Sequence, residues 1–595
     1  MMEGAMHHIN VPHLKRLLLL TALAGLPAFA QIDLSGEWNP QFHEDQPERI
    51  PGPEIGDYLG LPINTAARMR GDIWDAEILT LPEHQCKPHP ADYGPRGPAN
   101  LRLSKEVDPA TQQIIAWRTH ISWQATERTI YMDGRPHPPE YAAHTWQGFS
   151  TGKWDGDVLT VTTDHLKIGW IRRNGIPRSD RATLTEHWIR HGDRLTLVSI
   201  VTDPVYLTEP FIRTTDFVFD LHQRIDPYPC EAVDEIVREK GVVPNFLPGA
   251  NPFLNEFATR NHVPEPAARG GAETMYPEYR SSVREVSTPP SPANRSVLDQ
   301  DGGNEIHVLP VQGNIYMLVG AGANITVEAG KDGVLLVDAK TAAASDKVLA
   351  AIKTITDKPI RYILNTAADD DLVGGNEKLS KAGSTITGGN VAGVNANWPA
   401  TIIAHENVTN HLSSPAAGEA AIPVDGWPKD TFFTDQKDIF FDGEAVQLFH
   451  QKAAHSDGDS LIFFRRSDVV STGDIFTPGY YPIIDVKNGG TINGVVAALN
   501  RIIDLTVPAD KQEGGTYVIP GHGRLCDEAD VVEYRDMVTI VRDRIQDMVK
   551  KGMTLEQVKS AKPTRDYDPL YGTTSGPWTT DMFVEAAYRS LSAKK

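Results

Sequence analysis

Cysteine is nearly absent: the chain of 595 residues has 3, at Cys86, Cys230 and Cys526. No two share a C-x-x-C spacing, which excludes a zinc knuckle or a dithiol redox motif. Long apolar runs are also lacking. The conspicuous one, Leu17 to Leu26, is about half of the roughly 20 residues that span a bilayer. Clusters of Lys and Arg are missing too. Lys+Arg total 57 against 78 Asp+Glu, a net charge of −21, and a repulsive acidic field argues against a nucleic-acid partner. The rest is ordinary. With 40% hydrophobic and 23% charged residues, wholesale disorder is excluded and folded domains are expected. At about 100–200 residues each, the length allows two to four domains.

The apolar run has a recognisable setting. Lys15-Arg16 precede it, and Pro27-Ala28-Phe29-Ala30-Gln31 follow. A positive n-region, a short apolar h-region and an A-x-A site make an export signal, removed in the mature protein. Residues 1–30 are therefore read as a signal peptide. The mature chain is expected in the periplasm or secreted, without a stable membrane anchor; a retained anchor is the alternative. Position 31 is Gln, not Cys, so a lipid anchor is not supported. An oxidising compartment permits a disulfide. Cys86 (HQCKPHP) and Cys230 (DPYPCE) both sit in Pro-rich, loop-like sequence. They either pair or remain two loop thiols, with Cys526 as the odd residue.

Residues 31–260 read as β-rich. Alternating runs recur at Val158–Thr163, Arg194–Val201 and Asp216–Asp220, separated by turn signals such as Asp133-Gly134, Asp155-Gly156 and Asn174-Gly175. Such spacing predicts an antiparallel barrel or sandwich. Residues 261–304 are rich in Pro, Ala, Ser and Gly, a linker composition. From 305 to 595 strand runs (Asn314–Val319, Gly333–Asp338, Arg361–Leu364, Leu461–Phe464, Tyr517–Ile519) alternate with helical patterns at 342–355, 492–505 and 527–551. This is a mixed α/β domain. At the start of the β-rich part, Gly36-Glu-Trp38 is similar to the G-x-W opening of lipocalin-like barrels, as are WDGDVLTV (154–161) and RNGIPRSD (173–180). That resemblance implies that Trp38 plugs one end of a barrel; the alternative is a tryptophan filling some other core.

Four patches in the second domain each follow a predicted strand and end in small or polar residues: Asn365–Asn376, Ala454–Asp459, Ser471–Asp474 and Val518–Gly523. Loops on one rim of a rigid sheet are where catalytic groups collect. The four patches, in this order, resemble the metallo-β-lactamase-fold hydrolases, the superfamily of glyoxalase II and quorum-quenching lactonases. The resemblance covers residues 306–595 and implies an αββα sandwich with its site along one sheet edge. The family's first motif, N-T-H-x-H-x-D-H-x-G-G-N, keeps its frame as Asn365-Thr366 in front and Gly374-Gly375-Asn376 behind. Its third-motif histidine falls on His455, its T-G-D aspartate on Asp474 and its P-G-H-G histidine on His522.

Inside that frame the motif is broken. The two leading histidines fall on Ala367 and Asp369, the aspartate is kept as Asp371, and the last histidine falls on Leu372. In the family one metal takes the two leading histidines with the His455 position. The other takes the positions of Asp371, the neighbouring histidine and His522, and the Asp474 position bridges them. Ala367 and Leu372 bind nothing, so the expected metal ligands are Asp369, Asp371, His455, Asp474 and His522. Carboxylates that converge without a cation repel, and a bound cation relieves them. An oxygen-rich shell moves preference from Zn towards Mn, Fe, Mg or Ca; one ion on Asp371, Asp474, His455 and His522 is the simpler variant. His405, His411, His450 and Cys526 match no ligand position.

The resemblance implies a metal-dependent hydrolase of a small-molecule ester, lactone, thioester, amide or phosphoester, with Asp371 or Asp369 orienting the water or moving its proton. Two alternatives stand beside it. Ala367 and Leu372 favour a pseudo-enzyme that binds without turnover. A barrel with an open apolar interior would instead place the main function in the first domain. The signal is checked by sequencing the N-terminus of the protein recovered from periplasm or medium. It is expected to read from Gln31; an uncleaved Met1 in the membrane fraction would contradict it.

Overall fold

The computed structural model describes residues 32–41, 53–58, 60–97, 99–122, 124, 126–279, 304–386, 398–414, 421–509, 511–512 and 514–593. The signal segment and residues 280–303 lie outside the described residues. Among those described, no helix is long and apolar enough to cross a membrane.

The alternating runs of the first half become strands β1 (Gly36–Gln41), β2 (Leu101–Val107), β3 (Ile114–Ile121), β4 (Thr126–Tyr131), β5 (Phe149–Asp155) and β6 (Val158–Asp164). A separate hairpin, β7 (Gly169–Arg172) and β8 (Ile176–Arg178), precedes β9 (Thr183–His191), β10 (Arg194–Thr202) and β11 (Phe211–Phe219). Nine of them close into a barrel in the order β1-β11-β10-β9-β6-β5-β4-β3-β2. The pairing is antiparallel except between β4 and β5, which run parallel and meet only at Ile130–Ser150 and Tyr131–Thr151. The turn at Asp155-Gly156 joins β5 to β6, and Gly156 has φ +57°, a conformation glycine adopts at little cost.

Period-two alternation points one face of each strand inward. Trp38, Trp117 and Trp188, all but fully buried, fill the barrel with Leu101, Leu195 and Phe217. Trp38 meets Phe219 edge-on at 5.3 Å and donates its indole N–H to the Leu34 carbonyl at 3.1 Å. On the same inward faces Arg128 pairs with Glu186 at 2.6 Å and also reaches Ser150 and Thr163. Side chains therefore occupy the interior that an apolar ligand would need. Outside the barrel, Cys86 and Cys230 form a disulfide, and Cys526 is free and buried. The described part of the 261–304 segment is folded. Its short helix Glu265–Ala268 offers the Ala268 carbonyl to the Tyr58 N–H, and Arg269 pairs with Asp72.

The second half is a sandwich. One sheet orders as β12 (His307–Gln312), β13 (Ile315–Val319), β14 (Ile325–Ala329), β15 (Val334–Val337), β16 (Ile360–Leu364), β17 (Thr401–His405) and β18 (Asp430–Phe432). The other is β19 (Gln436–Phe441), β20 (Glu444–His450), β21 (Ser460–Phe464), β22 (Val469–Ser471), β23 (Tyr517–Ile519) and β24 (Cys526–Asp527). Both faces of the central strands are apolar, as fully buried strands require. On β13 and β15, Met317, Val319, Leu335 and Val337 face the other sheet, while Leu318, Val334 and Leu336 face the helices at 345–355 and 376–382.

The outer layer of the second sheet explains how the halves join. The helices α2 (Ile492–Leu505), α3 (Glu528–Lys550) and α4 (Thr580–Ser592) share one apolar core with Tyr58, Leu61, Ile63, Leu166 and Tyr206 of the first half. α3 opens with a capping box, Asp527 and Asp530, and the helix Leu555–Ala561 opens with another, Thr554 and Gln557.

One buried acid bridges the sandwich. Glu328 of β14 is fully buried and faces Glu444 of β20, which already accepts hydrogen bonds from the Arg466 and Ser467 N–H groups and the Ser467 hydroxyl. Burial, and then the charge of Glu444, push the Glu328 carboxyl up to about 9. Its folded value lies above its unfolded one. The stabilisation is complete below about pH 4.5 and is lost as pH rises towards 9, at no more than about 1.4 kcal/mol per pH unit. Glu328→Gln keeps the neutral form at every pH. Its unfolding free energy, measured by urea denaturation near pH 6 and near pH 9, is expected to fall less than that of the parent. Parallel losses in both proteins would contradict this.

Candidate metal centre

Four loops meet on one rim of the sandwich. The first follows β16 and carries Asp369 and Asp371. The second, between β20 and β21, carries His455. The third follows β22 as a short 3-10 turn, Gly473–Ile475, with Asp474, and the fourth follows β23 with His522. Backbone bonds lock loop to loop: Gly521 N–H to the Gly473 carbonyl at 2.8 Å, Ser460 N–H to Thr366 at 2.9 Å, and Asn324 N–H to Gly521 at 2.7 Å. Gly473 has φ +50°, and a Cβ there would sit 2.3 Å from the Thr366 hydroxyl. A side chain is thus excluded twice, by conformation and by space.

The frame of the first loop has a structural job. Asn365 and Asn376 exchange amide hydrogen bonds at 3.1 and 2.8 Å across the loop. A Cβ on Gly375 would lie 2.2 Å from the Ala339 carbonyl, so the glycine lets the loop pack on the end of β15. Asp338, at that same end, accepts both the N–H and the hydroxyl of Thr366 at 2.8 Å.

All five expected ligands come together. Donor atoms of Asp369, His455 and Asp474 lie within 4.8 Å of one another, and so do those of Asp371, Asp474 and His522. Asp474 belongs to both groups. His522 Nε2 stands 3.0 Å from Asp371 and 3.8 Å from Asp474; His455 Nε2 stands 3.8 Å from Asp369. Ala367 and Leu372 are buried instead, in an apolar cluster with Ala323, Val373, Ala404, Val408 and Leu412. His405 stacks on His450 at 3.6 Å and His411 bonds Asp457 at 2.6 Å; none of the three joins either ligand group.

The charge in this rim is unbalanced. Burial raises Asp369 and pushes Asp474 up to about 7. Burial works on Asp371 as well, but its hydrogen bond from His522 outweighs it and holds the carboxyl below the usual range. Burial disfavours a charged His455; Asp369 and Asp459 overcome that and hold the imidazole well above its ordinary value. Asp474 is nearly buried, and its Oδ1 has no hydrogen-bond partner. Three carboxylates and two imidazoles, in two groups that share Asp474 with one of its oxygens left without a hydrogen bond, are a donor set that fits a divalent cation.

Two neighbours of the site escaped the sequence reading. Asp459 accepts from the Ser456 N–H and hydroxyl and stands 3.4 Å from His455 Nδ1, which leaves Nε2 facing Asp369. Its signal was the four-residue spacing within HSDGD. Lys340 is fully buried and donates to the Ala323 carbonyl beneath the first loop. A lysine closing the apolar strand VLLVDAK was the only hint.

Residues 309–522 match the family model of the metallo-beta-lactamase superfamily. This part of the chain is a metallo-beta-lactamase superfamily domain. The metallo-beta-lactamase domain is similar to several solved structures. With the stereoselective inverting sec-alkylsulfatase Pisa1 from Pseudomonas sp. it shares 15% identity over 48% of this chain and 50% of that one, TM-score 0.37. The chain thus matches about half the length of that enzyme. With a metallo-beta-lactamase from Pontibacter korlensis it shares 14% over 39% of this chain and 99% of that one, TM-score 0.30. For the DIM-1 metallo-beta-lactamase the figures are 16%, 39%, 97% and 0.29. No curated protein matches.

Gly521 offers a test of the bridging carboxylate. A Cβ there would lie 2.3 Å from Asp474 Oδ1 and 2.7 Å from the Gly473 backbone. Gly521→Ala is expected to displace Asp474, cost roughly 1–3 kcal/mol and lower divalent-metal content. Thermal unfolding and elemental mass spectrometry read both effects; unchanged metal content would show that Asp474 tolerates the shift.

Proposed function

We propose that the chain is an exported, metal-dependent hydrolase whose metal site is rebuilt from carboxylates. The observation that carries this reading is Asp474, shared by two ligand groups and left with a buried, unpartnered oxygen. Asp369, His455 and Asp474 would hold one position; Asp371, His522 and Asp474 would hold the other. A divalent ion there supplies Lewis acidity and an acidified water. With three carboxylates and two imidazoles the preference moves from Zn towards Mn or Fe.

The remaining chemistry belongs to the chain. Asp371 is about one-third exposed, so the carboxylate oxygen it does not give to the ion reaches the mouth of the site. There it takes the proton of the attacking water and returns it to the leaving group. Asp459 keeps His455 turned with Nε2 inward, the carboxylate–imidazole arrangement that fixes ligand geometry elsewhere. The substrate is a small-molecule ester, lactone, thioester, amide or phosphoester. The Cys86–Cys230 disulfide supports export to an oxidising compartment.

A specific observation favours a second reading. Ala367 and Leu372 stand where the family has histidines, and both are built into an apolar cluster. A site so closed is consistent with binding without turnover. Elemental mass spectrometry of the mature protein, alongside Asp474→Ala, tests both readings. At least one equivalent of Mn, Fe or Zn, lost in the variant, with hydrolysis in an ester, lactone and phosphoester screen, is the expected result. Metal without turnover on any of these would favour the second reading; no metal after incubation with each ion would end the first.

A further inference from the structure

A second cavity, of about 1080 Å³, lies between the N-terminal domain and the C-terminal helices and shares no residue with the metal centre. Its charge runs against that of the whole protein. Arg181, Lys559, Lys562 and Arg565 line it, against two carboxylates, Asp568 and Asp581, in a chain of net charge −21. Lys559 is committed to Glu585 at 2.8 Å. Among the described residues no carboxylate pairs with Arg181, Lys562 or Arg565. Arg181 gives one N–H to the Leu570 carbonyl at 3.2 Å, and its Nε, shielded from solvent, has no partner at all. Asp568 is engaged elsewhere: it accepts the Tyr481 hydroxyl at 2.9 Å; burial raises its carboxyl, and the charge of Lys562 draws it back.

The backbone adds to this field. The helix α1 (Thr65–Asp72) and α4 both begin at the cavity wall, with Thr65 and Thr580 as their first residues. Helix N-termini carry partial positive charge and leave N–H groups free for an anion. Asn64 caps one such group of α1, on Ala67; at α4 Thr579 caps Met582 and the Thr580 N–H is given to the Thr573 carbonyl at 2.9 Å, so α1 is the end that contributes. Thr208, Thr573 and Thr574 add hydroxyls to the lining. A partly buried arginine with a shielded, unpartnered Nε, two exposed cations at the rim and the N-terminus of α1 favour an anion with several oxygens. The hydroxyl-rich wall favours a hydroxylated body behind it.

We propose that this interdomain cavity binds a small hydroxylated organic anion bearing a phosphate or sulfate group. Such a ligand joins Arg181 of the first domain to Lys562 and Arg565 of the second, so its binding raises the unfolding temperature of the whole chain by mass action.

The test uses the mature full-length protein with D-glucose 6-phosphate, D-glucose 6-sulfate and neutral D-glucose, by calorimetric titration and thermal unfolding. Saturable binding of at least one anion, and none of glucose, is expected; the two anions separate a phosphate from a sulfate preference. The double variant Lys562→Glu/Arg565→Glu, at exposed positions, should keep the parent unfolding temperature and weaken the anion by at least roughly tenfold. Asp474→Ala should bind it as the parent does. No saturable binding of either anion, equal binding of glucose, indifference to the double reversal, or loss in Asp474→Ala would each overturn the proposal. The last would place the anion at the metal centre.

Discussion

A knot of buried charge at the head of α3 holds the two domains together, and the metal centre hangs from it. Lys167, from the barrel domain, reaches Asp527 at 2.8 Å and Asp530 at 2.9 Å. Arg524 grips the same Asp530 with two nitrogens, at 2.9 and 3.1 Å. Nearly two helical turns further on, His84 meets Asp536 at 2.7 Å, and Arg535 pairs with Glu83 and Asp536. Each of these charges is tolerable inside the protein only because the others are present; stranding one costs roughly 3–5 kcal/mol. Arg524 stands two residues after His522, and the Leu525 N–H is held by the Tyr141 carbonyl of the first domain. The position of His522, in the candidate site, is therefore set partly by the N-terminal domain.

What the sequence disclosed divides along the distance over which the information acts. The helix at 492–505 and the strand Tyr517–Ile519 are encoded by neighbours a few residues apart, and they stand where the sequence pattern put them. The convergence of Asp369, Asp371, His455, Asp474 and His522 was legible only as motif order, since nothing local brings residues over a hundred positions apart into contact. The short edge strands β18 and β19 and the helix Glu406–Ser413 had no reading of their own. β18 and the helix are short and mostly polar, β19 mixes Gln436-Lys-Asp438 with Ile439-Phe-Phe441, and tertiary pairing decides them. The Cys86–Cys230 bridge was open between two outcomes because proximity across 144 residues is a property of the fold. The burial of Tyr58, Leu61 and Leu166 against α2, α3 and α4 left no local trace either.

The exchange of imidazoles for carboxylates alters how the rim tolerates itself. Burial already raises Asp369 and Asp474, and the aspartate at position 369 adds a further negative charge acting on Asp474. At the same time Ala367 and Leu372 surrender their places to the apolar cluster that supports the first loop. Loop stability and ligand count have thus been traded at adjacent positions, within a frame of Asn365, Gly374, Gly375 and Asn376 that keeps its shape.

The barrel's hoop of hydrogen bonds has one thin link. Every other neighbouring pair of strands runs antiparallel over three or more residue pairs, whereas β4 and β5 touch at two. A closed cylinder opens where its circumference is weakest, so this seam is where amide exchange should begin and where the cylinder breathes. Ile130 and Ser150 face inward at that place, beside Arg128. Any loosening there admits water to the ion pair between Arg128 and Glu186 long before it reaches the three tryptophans.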